Sequence, residues 1–371
     1  MKQSLGLYAL AALASTAIAA PSKPQAFDPY AYKKNFVFCK ATDRSGATPK
    51  DIRLELAYID INPTAKKTLI MLHGWPSLWT TYRNQIQTLG SEYRLIIPEF
   101  RGFGDSEHPD DLYSSNTMPD FVDDISCIMD YAGVHAGVCV GNDFGAQVCW
   151  EAGRMRPDRF VGIFNIVVPY VSSAGDFVPT EALAHVVPGF GYQVYLQNNS
   201  TTAAVEMDAD PRSVIRATSQ IATSEIPADF LRNQTSFLGP WKVDNEKHNR
   251  TEIPFSGIMS QKVENYMVES YKKQGFFNTY NGYQQKNRYE TWQFERAQGN
   301  YTIPQPTFSL YPKNDPVADW ATFATILGSY NFLPNHHNAT IATGHWPHEE
   351  RATEFDAIFR QWIGNVTFPA K

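Results

Sequence analysis

Apolar and polar positions change their period twice along the chain. Residues 35–41 and 51–61 read as strands, the second alternating apolar and polar side chains as a half-buried strand does. Short unbroken apolar runs then take over, at 68–72, 94–98, 138–140 and 161–168, with patterns of helical period between them at 79–89, 120–131 and 145–155. Buried strands separated by amphipathic helices predict right-handed βαβ units and a largely parallel sheet covered on both faces. From about residue 169 to 300 the alternation stops, and the segment is polar, rich in Tyr and Asn and helical in tendency. It resumes with strands at 307–311 and 340–342 and helices at 318–327 and 349–363. A βα rhythm interrupted and resumed predicts one α/β core of eight strands, residues 20–168 and 301–371. A helical lid, residues 169–300, is inserted after the sixth strand.

The first 19 residues fall outside this plan. Lys2, an apolar stretch from Leu5 to Ala14, and Ala17-Ile18-Ala19 follow the order of a secretory signal peptide and its cleavage site. No other apolar run approaches the length that spans a bilayer. Sequons beginning at Asn198, Asn199, Asn233, Asn249, Asn300, Asn338 and Asn365 agree with secretion and N-glycosylation. Cys39, Cys127, Cys139 and Cys149 allow three full pairings. Cys139 lies in the apolar run 137–140 and is expected to be a buried free thiol, with the number of disulfides open. A net charge of −6 without any Lys/Arg-rich block argues against a nucleic-acid partner.

Candidate chemistry sits where strands end. Gly141-Asn142-Asp143-Phe144-Gly145-Ala146 follows a buried strand and opens a helix, the setting of a nucleophile elbow, but its central residue is Asp in place of Ser. A carboxylate is already anionic at neutral pH and needs no base to attack, which suits displacement at a saturated carbon through an alkyl ester. His73-Gly74-Trp75-Pro76 follows an earlier strand, so the backbone N–H groups of Trp75 and Phe144 are expected to form an oxyanion hole. The loop 101–106 is expected to shape the floor of the site. Asp315 follows the strand at 307–311 and His345 follows the last strand, giving the order nucleophile, acid, histidine. His345 would activate water and Asp315 would orient its imidazole; Asp319 is the reserve acid. His336, His337 and His348 are taken as surface residues.

With these motifs the chain resembles the epoxide hydrolases of the α/β-hydrolase fold, particularly the soluble, plant-type branch. The matching residues are 73–86, 101–106, the Asp143 elbow, Asp315 and Gly344-His345-Trp346. The resemblance implies two lid tyrosines that donate to the epoxide oxygen. Tyr192-Gln193-Val194-Tyr195-Leu196-Gln197 matches the stretch carrying the first and places it at Tyr192. The second follows Lys272-Lys273-Gln274-Gly275-Phe276 and falls at Tyr283, with Tyr280 and Tyr289 as alternatives. Trp75, Phe144 and Trp346 join the tyrosines as expected substrate contacts.

The expected reaction converts a small epoxide and water into a vicinal diol, without metal or organic cofactor. A haloalkane dehalogenase would share Asp143, Asp315 and His345 but would need halide donors in place of the tyrosines. Asn142 and Phe144 stand where relatives often carry His and Trp, and loss of that Trp counts against the dehalogenase. A non-catalytic secreted binding protein on the same fold is the third reading.

Overall fold

The computed structural model describes residues 26–369; the signal peptide expected at 1–19 lies outside them. The eight strands are β1 (Asn35–Asp43), β2 (Lys50–Ile61), β3 (Thr68–Leu72), β4 (Arg94–Pro98), β5 (Gly137–Asn142), β6 (Phe160–Ile166), β7 (Thr307–Pro312) and β8 (His336–Ile341). They form one sheet in the order β1-β2-β4-β3-β5-β6-β7-β8. β2 runs antiparallel to both β1 and β4, and all other pairs are parallel. Every residue of β3, β4, β5 and β7 is buried, which is why these strands read as unbroken apolar runs.

Helices α1 (Arg83–Leu89), α2 (Met118–Tyr131) and α3 (Phe144–Met155) follow β3, β4 and β5, and α11 (Trp320–Ile326), α12 (Pro347–Glu350) and α13 (Ala352–Ile363) complete the core. α13 buries Phe355, Phe359, Trp362 and Ile363, a stripe at helical spacing that packs Phe355, Phe359 and Trp362 against Phe164 of β6. Between β6 and β7 the lid comprises α4 (Thr180–Val186), α5 (Gly191–Asn198), α6 (Ser200–Ala209), α7 (Pro211–Thr218), α8 (Gly239–Lys247), α9 (Gln261–Gln274) and α10 (Gln285–Gln298).

Three expectations are corrected. The last strand begins at His336 rather than 340: β8 is an edge strand whose exposed positions carry polar residues, so only its end looks apolar. Cys139 is not a free thiol; it is bonded to Cys149, and Cys39 to Cys127. His348 is not on the surface. It is fully buried, and its Nε2 lies 2.7 Å from the Thr81 hydroxyl.

Candidate active site

Asp143 sits between β5 and α3 with φ 53° and ψ −116°, a backbone conformation costing a non-glycine residue about 1–3 kcal/mol. The surrounding packing enforces it. A Cβ on Gly145 would lie 2.1 Å from the Leu72 carbonyl oxygen, and one on Gly74 would lie 2.7 Å from the Asp143 Cβ. Only glycine lets the β3 turn and the start of α3 approach this closely. The Cys139–Cys149 disulfide ties β5 to α3 on either side of the bend.

The two carboxylate oxygens of Asp143 have different surroundings. Oδ1 accepts a hydrogen bond from the Trp75 backbone N–H at 3.0 Å, while Oδ2 faces His345 Nε2 at 3.5 Å. The other side of the imidazole, Nδ1, donates to Asp315 Oδ2 at 2.7 Å. Asp315 is held in turn by the Val317 N–H at 2.9 Å and the Trp320 indole N–H at 2.7 Å. Burial disfavours a charged His345, but the carboxylates of Asp315 and Asp143 outweigh it and raise its pKa to about 10. The reserve acid, Asp319, is exposed and caps α11 by accepting from the Thr322 N–H and hydroxyl at 3.1 and 2.7 Å.

Trp75 joins core to lid. Its indole N–H donates to the Thr279 hydroxyl at 3.0 Å. Its ring stacks on Tyr192, centroids 6.0 Å apart, and meets Tyr283 edge-on at 5.6 Å. The two tyrosine rings lie 5.8 Å apart. Both line a cavity of about 220 Å³ together with Asp143. Burial, together with the negative charge of Asp143, pushes both phenols above their ordinary pKa, so both keep their protons at neutral pH. Tyr280 turns its hydroxyl to the Met207 sulfur at 3.1 Å, and Tyr289 is exposed and stacks on Trp292. A second cavity of about 80 Å³ reaches His345, Trp75 and Trp346 from the other side; Tyr192 and Val317 line both.

Phe144 departs from its expected contact role. Its ring is buried against Phe100 and Phe121, at 5.5 and 5.1 Å, outside the residues lining either cavity. Its backbone starts α3 directly after Asp143, whereas the hydrogen bond to Oδ1 comes from Trp75. Trp346 lies edge-on to His345 at 4.9 Å and donates its indole N–H to the Thr218 carbonyl. The loop at 101–106 contributes no lining residue to either cavity and is structural: the Arg101 guanidinium grips Asp124 and the Ser115 carbonyl. Two supports were not legible in the sequence. One is the Trp320 bond to Asp315. The other is His73, which accepts from the Phe100 N–H at Nε2 and donates from Nδ1 to the Gly74 carbonyl. Burial lowers its pKa to about 4, so it braces the Trp75 turn as a neutral ring.

A family model described as alpha/beta hydrolase fold matches residues 67–352. Epoxide hydrolase A of Mycobacterium tuberculosis is 24% identical over 315 residues, 84% of this chain and 94% of that protein. Bifunctional epoxide hydrolase 2 of Sus scrofa is 22% identical over 345 residues, 92% of this chain and 57% of the relative. The chain thus spans little over half the length of the bifunctional relatives it matches. Among solved structures, epoxide hydrolase A from Mycobacterium thermoresistibile superposes with a TM-score of 0.72 at 21% identity, over 90% of this chain and 100% of that one. Potato (Solanum tuberosum) epoxide hydrolase I superposes with a TM-score of 0.71 at 19% identity, over the same shares. The family-model match begins just before β3 and ends at the start of α13, taking in the elbow, the acid, the histidine and the whole lid. The chain belongs to the alpha/beta hydrolase fold family.

Proposed function

We propose that the protein is an epoxide hydrolase working through a covalent ester on Asp143. The observation that carries this reading is the cavity in which the Asp143 carboxylate faces two buried, protonated phenols, Tyr192 and Tyr283. Asp143 Oδ1 is held by the Trp75 N–H, so Oδ2 attacks an epoxide carbon and the C–O bond of the ring breaks. Negative charge develops on the leaving oxygen, where the phenols meet it as hydrogen-bond donors and supply its proton. The product is a hydroxyalkyl ester on Asp143.

Ester formation also prepares the second step. It removes the charge of Asp143, one of the two carboxylates that hold His345 protonated, so the pKa of the imidazole falls and its proton is released to restore the phenol that protonated the leaving oxygen. Neutral His345, oriented by Asp315, then takes a proton from water as that water attacks the ester carbonyl carbon. The charge that builds on Oδ1 is met by the Trp75 N–H. As the ester C–O bond breaks, the imidazolium gives the proton it took from water to the leaving oxygen and then takes up the proton of the new carboxyl group, which restores the Asp143 carboxylate and releases the diol.

The dehalogenase reading asks for free donors around a halide. The indole N–H groups of Trp75, Trp320, Trp346 and Trp150 are already given to Thr279, Asp315, Thr218 and Val168. Incubating the purified protein with a styrene-oxide-like epoxide and, separately, a haloalkane tests the choice. Diol from the first alone is expected; halide release, or no turnover of either, would contradict it.

Secretion with N-glycosylation is the proposed setting, and the closeness to the soluble, plant-type branch is likewise a proposal that rests on the motifs. Two disulfides are at home in an oxidising compartment, and six of the seven sequon asparagines are exposed, Asn233 being half-buried. Recovery from the medium of a protein that loses mass on enzymatic deglycosylation is expected.

A further inference from the structure

The groups that serve the two steps open on different cavities. The larger, about 220 Å³, is lined by Asp143, Tyr192 and Tyr283; the smaller, about 80 Å³, is lined by His345 and Trp75. Among the described residues, neither His345 nor Trp75 lines the larger cavity, and Asp143 does not line the smaller. Tyr192 and Val317 belong to both and form the partition. The Asp143 carboxylate bridges the two sides, with Oδ1 bonded to the Trp75 N–H at 3.0 Å and Oδ2 3.5 Å from His345 Nε2.

Once the ester has formed, the two sides are no longer equivalent. The carbon skeleton of the substrate then hangs from Asp143 on the side where the tyrosines met the leaving oxygen. Water arriving from that side must pass the skeleton, whereas the smaller cavity leads to His345 without that obstacle. Its 80 Å³ hold two or three water molecules at about 30 Å³ each. Thr218, Gln220, Ser224 and Asn314 line it, and give water the polar partners it needs.

The walls of the smaller cavity are tied to the turn that carries the base. Lid residues between 217 and 226 form one wall and residues 344–346 another. Glu350 on α12 joins them: its carboxylate accepts from the Gly344 N–H at 2.8 Å and from the Ala222 N–H at 3.2 Å. The bond from the Trp346 indole to the Thr218 carbonyl, 2.8 Å long, is a second tie. A Cβ on Gly344 would lie 3.2 Å from the Ala222 nitrogen, so the lid segment and the His345 turn are in direct contact.

We propose that the smaller cavity is the water side of the active site. The water that hydrolyses the ester comes from it to His345, gives its proton to Nε2 and attacks the carbonyl carbon of Asp143, while the carbon skeleton stays in the larger cavity. The inference rests on the epoxide hydrolase reading and assigns the two reactants to opposite sides of one carboxylate.

The test uses single turnovers of the full chain, quenched rapidly and read by intact-protein mass, so that ester formation and ester hydrolysis are measured apart. In the wild type, terminal epoxides of increasing alkyl length should give nearly constant rates of ester hydrolysis, because the chain lies outside the path of the water. A hydrolysis rate that falls steadily as the chain lengthens would overturn the inference, and this needs no variant. Ala222→Phe adds bulk to the lid wall of the smaller cavity and keeps the N–H that Glu350 accepts. It should slow ester hydrolysis by about 10- to 100-fold, the cost of displacing a reactant from its place. Ester formation should scarcely change, so the protein carries the added mass of one epoxide during turnover. Hydrolysis at the wild-type rate in folded Ala222→Phe, or a loss confined to ester formation, would overturn the water route and leave the epoxide reading standing. If Ala222→Phe does not fold, the wild-type series decides. Neither ester nor diol from any epoxide would overturn the epoxide reading and this inference with it.

Discussion

The core and the lid bring chemistry to the same cavity by different means. On the core side, position is fixed by backbone: a strained Asp143, two glycines that permit close approach, a disulfide across the bend, and strand ends that deliver Asp315 and His345. On the lid side, position is fixed by ring packing, with Tyr192 and Tyr283 placed against the Trp75 indole. The contrast teaches a division of labour. Groups that form and break the covalent bond are held at the ends of strands, whereas groups that meet and protonate the leaving oxygen are held by packing within the lid. Each side should therefore fail in its own half of the reaction.

Asp143→Ala tests the core side most severely, because both steps pass through its carboxylate. Diol formation should fall by about 10⁴-fold or more, while a folded circular-dichroism spectrum is kept, since the side chain lines the cavity and makes little of the core. Substantial residual diol would break the covalent mechanism.

On the lid side the effect should be smaller and confined to one step. Tyr192→Phe and Tyr283→Phe should each slow ester formation by about 10²–10³-fold, by analogy with the loss of one oxyanion donor. Hydrolysis of the ester once formed should scarcely change. Rapid-quench measurement of the two steps checks this. A wild-type rate of ester formation in Tyr283→Phe would move the second donor to another residue.

The smallest effect is on stability. The folded-state pKa of His345, about 10, lies above its ordinary value of 6.5. The stabilisation it contributes is therefore fully present below about pH 6.5 and is lost as pH rises through 10. The gap in urea midpoint between wild type and His345→Gln should accordingly be widest near pH 6 and narrow steadily up to pH 10. A gap that widened over this range would mean that the imidazole is not held protonated between its two carboxylates.

The same contrast explains what the sequence discloses. Strands β3 to β7 are legible because parallel strands covered on both faces must be apolar throughout, and the elbow is legible because its glycines are dictated by contact. β8 is half hidden because an edge strand tolerates His336, His337 and Asn338. Cys139 misleads because an apolar run shows burial but not that α3 carries Cys149 back beside it. Trp320 looks like an ordinary apolar helix residue, yet its indole N–H fixes Asp315; no local pattern marks that bond. In the lid, Tyr280, Tyr283 and Tyr289 are indistinguishable by spacing. The short 3-10 segment Phe277–Tyr283 and α10 turn only Tyr283 to the cavity.

One measurement reaches the central claim most directly. His345→Gln keeps the nucleophile and the phenols but lacks the base, so the first step should run and the second should stall. After incubation with an epoxide, intact-protein mass spectrometry should show an increase equal to the mass of one epoxide, and peptide mapping should locate it on Asp143. A protein of unchanged mass, or a modification on another residue, would contradict the account.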